Sequence, residues 1–364
     1  MYQMRNPIRR YDWGSTDAIP ELLGRRPDGR PQAELWMGAY ESESSQVRID
    51  RRWHDLAAVL RARGEPRLPF LAKVTAIGSP LSLQIHPVGG TDAKTEMLYA
   101  WQPCRVLCGF RDVASVRALL GDLRGVVRPD RPTPVVDALL HRAGSQDGLR
   151  DGLATLLHAT GPTEVADLRD RLRLLPRWPG VADAVEGLAA HHDGDPAVLA
   201  PLLLSDVELS AGEALVCRPG QPHTYLSGVG IEVQSNSDAV VRAGLTSKPT
   251  DVDAFVAGLV TDRGPDRVAW RSDGPERVFA VPGVDFALGV VGDVTDGPIG
   301  LAPAVGAQIL LCAEGIYTVQ AGQAELELRP GESAFVPSGR PDVVASGKGC
   351  LFRISAGRAV AVGT

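Results

Sequence analysis

Between Pro80 and Pro87 apolar and polar side chains alternate. Leu81, Leu83 and Ile85 fall on one face of an extended chain, and Ser82, Gln84 and His86 on the other. Turn residues bracket the segment, Gly78-Ser79-Pro80 before it and Pro87-Val88-Gly89-Gly90 after it, so the pattern predicts a short strand. The alternation returns at Gly230–Asp238, with Glu232, Gln234, Asn236 and Asp238 on one face and Ile231 and Val233 on the other. From Met1 to about Phe110, and again from Asp206 onward, short apolar runs broken by Gly and Pro predict β-structure. Between Asp112 and Leu204 the period becomes helical, in Val113, Val116, Leu119, Leu120 and Leu123 and in Val165, Leu168, Leu172 and Leu175. Thr163, just after Gly161-Pro162, is placed as an N-cap, and Ala182–His191 and Pro196–Leu204 as two further short helices. Arginines of this zone are read as facing outward. His141, His158, His191 and His192 are read as surface or capping residues without chemistry.

The last zone repeats itself. Gly-Glu-Ala-Leu-Val-Cys-Arg-Pro-Gly-Gln-Pro-His runs from Gly212 to His223, and Gly-Glu-Ser-Ala-Phe-Val-Pro-Ser-Gly-Arg-Pro-Asp from Gly331 to Asp342. Each copy reads as a turn into a short buried strand, then a Gly-x-Pro bend that aims the next side chain inward. The phrase resembles the second motif of the cupin jelly roll, and two copies imply two barrels. The expected architecture is mainly β with a helical insert. A catalytic metal-binding cupin domain takes residues 1–110 and 204–265, a helical domain 111–203, and a second cupin domain 266–364. Only the first copy ends in His, so the C-terminal barrel is expected to hold no metal.

Length and composition narrow the field. At 364 residues and 38.7 kDa the chain exceeds one ordinary core. No apolar run approaches a membrane span, Met1–Arg10 lacks a signal-peptide core, and the expected compartment is the cytoplasm. Cys104, Cys108, Cys217, Cys312 and Cys350 are scattered and read as reduced thiols. A net charge of −6 with pI ≈ 5.7 argues against a nucleic-acid surface but not against an anionic small molecule. Of 38 basic residues only Lys73, Lys94, Lys248 and Lys348 are lysine, which points to places where a compact ammonium is wanted and a guanidinium fork is not.

These features converge on one site. In a cupin the inward His223 is joined by ligands from an earlier strand and loop, here Gln84 and His86, with Glu96 as the nearby carboxylate. A lone Gln-x-His strand reads as a polar face meeting water, but four candidate ligands in suitable places do not. Such mixed N/O ligation suits one zinc per chain acting as a Lewis acid. The strand after His223 carries Glu232 to Asp238, and Arg242 and Lys248 follow, so that strand is expected to line the same cavity.

Longer phrases are specific enough to name a family. Tyr11-Asp12-Trp13-Gly14, Ala33 to Gly38, Pro69 to Lys73, Pro80 to Pro87, Pro222 to Gly228 and Ser237 to Thr246 resemble the type I mannose-6-phosphate isomerases, from about Tyr11 to Phe255. The resemblance implies interconversion of mannose 6-phosphate and fructose 6-phosphate with one zinc held by Gln84, His86, Glu96 and His223. It implies catalytic roles for Arg242, Glu232, Asp238 and Lys94, and substrate contacts from Ser82, Lys248, Trp13 and Tyr225. It also implies a place in mannose metabolism, either supplying activated-sugar and glycan synthesis or bringing mannose into glycolysis. A hexose 6-phosphate is the expected partner, with no nucleic acid and no membrane, and a monomer is the expected form. The chain departs from the family pattern between His86 and Glu96, where it is short, has Val88-Gly89 after the His-Pro pair, and has Thr95 in place of the usual proline. Either Glu232 or Asp238 could be the base. Another metal-dependent sugar-phosphate cupin, or a non-catalytic sugar-binding cupin, is the competing reading.

Overall fold

The computed structural model describes residues 1–90, 93–126, 133–304, 306–339 and 342–357. Two β-barrels and a helical insert account for the architecture, as the periodicities predict. In the first barrel the strand His223–Ser235 is the spine. Its first half pairs with Cys104–Phe110, with Cys108 opposite His223, and touches Leu83–Ile85 through His223 and Gln84. Its second half lies between Phe70–Ile77 and Glu96–Ala100, with Glu232 opposite Lys73 and Gln234 opposite Glu96. One long strand thus carries the His223 imidazole at its start and the Glu232 carboxylate nine residues later into a single interior. In the second barrel Val343–Ala356 has the matching place, between Phe286–Val291 and Gln308–Ala321.

The repeated phrase builds the same corner twice. Glu213 accepts a hydrogen bond from Ser210 N at 2.7 Å, and Glu332 accepts one from Arg329 N at 2.9 Å, so each Gly-Glu latches the turn into its strand. Gly220 and Gly339, at φ +76° and +68°, make the bend that follows. At Gly220 a Cβ would also lie 2.5 Å from Val260 Cγ2 and 2.8 Å from Gly258 O, so no side chain fits there.

The interiors differ. At the heart of the second barrel Arg353 grips Glu276 through two bonds of 2.7 and 2.9 Å, and also donates to Gln308 Oε1 and Ala302 O. Glu276 accepts in turn from Ala302 N. Every nitrogen of Arg353 and both oxygens of Glu276 are thus engaged with protein partners. Asp342, at the position answering His223, is exposed.

The two barrels are joined at the N-terminus. Tyr2–Arg5 pairs with Ser333–Val336 on one side and Gln46–Ile49 on the other, so the first residues extend the second barrel's sheet. The barrels also share one apolar cluster, in which Tyr99 packs its ring edge against Phe279 and Phe352.

Helices Val113–Gly125, Pro134–Arg142, Gln146–Ala159, Pro162–Leu172 and Pro179–Ala189, with the 3₁₀ turn Pro196–Leu202, form the insert. The N-cap before Pro162–Leu172 is Gly161, whose N–H is taken by Glu164, and Thr163 is already inside the helix. Proline at the first helical position explains the shift, because its fixed φ starts the helix two residues earlier than an N-cap at Thr163 would. The insert's core continues into the first barrel. Leu83, Ile85, Ala243 and Leu245 belong to the same apolar cluster as the helices. The apolar face of the Ser82–His86 segment is therefore anchored in the insert, which leaves its polar face for the barrel interior.

Candidate active site and metal centre

Ligand atoms of His86, Glu96 and His223 all lie within 4.8 Å of one another, and all three residues are buried. The imidazole rings are 4.7 Å apart between centroids. His223 Nδ1 is 2.8 Å from Gln221 O, a carbonyl that fixes the ring and leaves Nε2 facing the cluster. Neither ring nitrogen of His86 has a hydrogen-bond partner, although Nε2 lies 3.2 Å from Glu96 Oε2. A buried imidazole nitrogen whose lone pair meets no donor is costly unless a cation takes it, so this donor set fits a metal. Burial, reinforced by the Lys94 ammonium, pushes His86 down to about 3 against the opposing pull of Glu96. The ring is then neutral, the form in which histidine ligates. Gln84 stands beside the cluster with its amide reversed: Oε1 accepts from Ser82 Oγ at 3.0 Å, and Nε2 is 3.4 Å from His223 Nε2. A half-turn of the amide presents its oxygen instead.

Glu96 is held from three sides. Lys94 Nζ is 2.9 Å from Oε2, His86 faces the same oxygen, and the Tyr225 hydroxyl donates to Oε1. Burial alone would raise its carboxyl, but the Lys94 charge and His86 hold it well below the usual range. Lys94 and Glu96 thus stand together although the chain between His86 and Glu96 is short. Lys94 has a nearly buried side chain (5% exposed), so a planar guanidinium does not fit where its ammonium sits. Lys94→Arg is expected to keep the fold and lose metal occupancy and turnover, read by metal analysis beside an activity assay. Wild-type values for both would reduce Lys94 to a spectator.

A second buried cluster adjoins the first. Lys73 Nζ donates to Glu232 Oε1 at 2.7 Å and to Glu34 Oε1 at 3.3 Å, while Thr75 Oγ1 donates to Glu232 Oε2 at 3.0 Å. Trp36 Nε1 holds the other oxygen of Glu34 at 2.8 Å. Burial alone would lower Lys73, but Glu232 and Glu34 outweigh it and keep the side chain charged. Counting Glu96 and Lys94, three buried carboxylates face two ammoniums. Burial first, and then the Glu96 charge, raise Glu232 to about 7 in spite of Lys73.

A cavity of about 570 Å³ opens over both clusters. Trp13, Ser82, Gln84, Lys94, Glu96, Tyr225, Glu232, Asp238, Arg242 and Lys248 all line it, with His86 and His223 behind its wall. Gln234 and Asn236 do not reach it. Gln234 is still within the strand but its amide donates to Ser237 O, and Asn236 lies beyond the strand's end at Ser235 and donates to Leu68 O. Residues that the sequence reading missed also line it: Tyr11, Glu34, Trp36, Lys73, His191 and His192. A lysine inside the apolar run Phe70–Ile77 was the signal for Lys73. No pattern marked the two histidines, which the insert brings to the cavity rim, so that zone is not remote from the site.

Relatives carry the same plan. A sequence model for the catalytic domain of type I phosphomannose isomerase matches residues 1–113. The mannose-6-phosphate isomerase of Escherichia coli is 30% identical over 97% of this chain and 99% of its own length. The chain belongs to the mannose-6-phosphate isomerase family. The bovine mannose-6-phosphate isomerase is 26% identical over 90% of this chain and 91% of its own. Among solved structures, a mutant of the Salmonella typhimurium phosphomannose isomerase superposes with TM-score 0.87 at 30% identity, covering 98% of this chain and 99% of that one. A zinc-bound mannose 6-phosphate isomerase superposes with TM-score 0.85 at 29% identity over the same shares. The mainly β, two-barrel architecture is therefore that of the family along the whole chain. No helix among the described residues is long and apolar enough to cross a membrane.

Proposed function

We propose that this protein interconverts mannose 6-phosphate and fructose 6-phosphate by proton transfer through a cis-enediol, with one zinc held by His86, Glu96, His223 and the Gln84 oxygen. The observation that carries this reading is the juxtaposition, at one cavity, of a buried ligand cluster whose His86 has no hydrogen-bond partner and a buried carboxylate raised to about 7. A metal in that set supplies Lewis-acid stabilisation of charge on the substrate oxygens. Glu232 takes the proton from C2 of the open-chain aldose and returns it to C1, while the hydroxyl proton on O2 passes to O1. Its pKa near neutrality suits a base that must both accept and release a proton. Lys73 and Thr75 fix the carboxylate, so Glu232 meets the substrate in one orientation. Arg242 also lines the cavity and makes no ion pair among the described residues, so its guanidinium is free to stabilise the enediolate. Lys94 is engaged with Glu96, which leaves Lys248 and Ser82 to meet the phosphate as point charge and hydroxyl donor. Trp13 and Tyr225 close the walls, and exposed Asp238 orients sugar hydroxyls at the rim.

The test is a coupled assay with mannose 6-phosphate. Purified protein should form fructose 6-phosphate, lose that activity on chelation and regain it with zinc. No turnover in the zinc-loaded protein would remove the proposal.

A further inference from the structure

Arg242 and Lys248 lie on a segment whose backbone is set by the helical insert. The strand Val241–Gly244 pairs with Leu83–Ile85, placing Arg242 opposite Gln84, and the register shifts between Arg242 and Gly244. At the next residue the chain turns through Leu245 at φ +56°. Among the described residues the other non-glycine positions with positive φ are Asp50 and Arg51, an exposed hairpin turn, whereas Leu245 is 1% exposed. A buried leucine in the left-handed region is strained and persists only where its surroundings hold it.

One carboxylate does the holding. Asp195, the residue before the 3₁₀ turn Pro196–Leu202, accepts from Ala197 N through Oδ1 and from Leu245 N through Oδ2, both at 2.8 Å. Its fit is close. A Cβ on Gly244 would lie 2.9 Å from Asp195 Oδ1 and 2.6 Å from Ala197 Cβ. Beyond the turn, Thr246, Ser247 and Lys248 line the cavity, and Lys248 Nζ sits 4.3 Å from the Tyr11 ring centre.

We propose that Asp195 is a positioning residue for the isomerase. By fixing the strained Gly244–Leu245 turn from the insert, it presents Arg242 and Lys248 together to the phosphorylated end of the substrate. The inference rests on the isomerase reading above. It also gives the insert a role in the site through a carboxylate that does not itself line the cavity.

The experiment compares wild type, Asp195→Ala, Asp195→Asn and the double variant Asp195→Ala/Leu245→Gly. Steady-state kinetics with mannose 6-phosphate are read beside calorimetric titration of the zinc-loaded proteins with inorganic phosphate. Asp195→Ala should raise KM and the phosphate Kd about tenfold, with a smaller change in kcat. Asp195→Asn, which keeps one acceptor oxygen, should fall between, and it carries the test if the alanine variant does not fold. Glycine accepts positive φ without help, so Leu245→Gly should restore part of the lost affinity. Unchanged KM and phosphate Kd in a folded Asp195 variant would overturn the proposal, whatever its melting temperature. So would an affinity loss that Leu245→Gly leaves untouched, or a wild-type protein that binds no phosphate. A wild-type protein that binds phosphate but does not isomerise the sugar would remove the isomerase reading while the phosphate data still judge Asp195.

Discussion

His223→Ala should purify without its metal and turn mannose 6-phosphate over at least about 10³-fold more slowly than wild type. His223 opens the spine strand of the first barrel, and Gln221 O aims its free nitrogen at His86 and Glu96. Losing a ligand costs more than losing its support, because the remaining carboxylate and imidazole then face one another without the cation. The matching change in the second barrel, Asp342→Ala, should leave both metal content and rate untouched, since Asp342 is exposed and the barrel behind it is filled by Arg353 and Glu276. Elemental analysis of the purified proteins settles the matter. Wild type and Asp342→Ala should each hold close to one metal per chain, and two tightly bound metals would contradict the account.

Glu232→Gln should lower kcat by about 10²–10⁴-fold with little change in KM. The amide is nearly isosteric and keeps an oxygen for Lys73 or Thr75, so the wall of the cavity survives while the proton acceptor does not. Asp238→Asn should cost far less, because Asp238 is exposed whereas Glu232 is 2% exposed and held by two donors. The two variants, measured side by side, decide between the carboxylates. A larger loss of kcat in Asp238→Asn than in Glu232→Gln would assign the base to Asp238.

Much of this site was legible because strands translate sequence into direction. Alternation in Ser82-Leu83-Gln84-Ile85-His86 put the polar set on one face, and Leu83 and Ile85 do sink into apolar surroundings. The Gly-Glu phrase marked where each barrel begins its corner, and the scarcity of lysine pointed at four lysines, of which Lys94 and Lys248 were tied to the site. Both line the cavity, as does Lys73, while Lys348 is an exposed residue of the second barrel. What escaped were pairings between distant segments. Nothing local joins Glu34 to Lys73, because they meet only when Glu34–Met37 pairs with Phe70–Ile77. Nothing local ties Asp195 to Leu245, fifty residues apart, or brings His191 and His192 to the rim. Alternation also overran its strand. It predicted Gln234 and Asn236 as lining residues, but Asn236 lies past the strand's end at Ser235, and both amides turn to backbone carbonyls. Period tells which way a side chain points, not where its element ends.

The central claim is that a carboxylate carries the hydrogen between C1 and C2. Isomerisation run in heavy water, with the product examined for deuterium on carbon, tests it most directly when Glu232→Gln is assayed alongside. Proton transfer through an enediol should leave solvent deuterium on carbon in the wild-type product, and Glu232→Gln should be slower by two orders of magnitude or more. A product that retains all its original hydrogen, together with a near-normal rate in Glu232→Gln, would mean that hydrogen passes directly from carbon to carbon and would contradict the account.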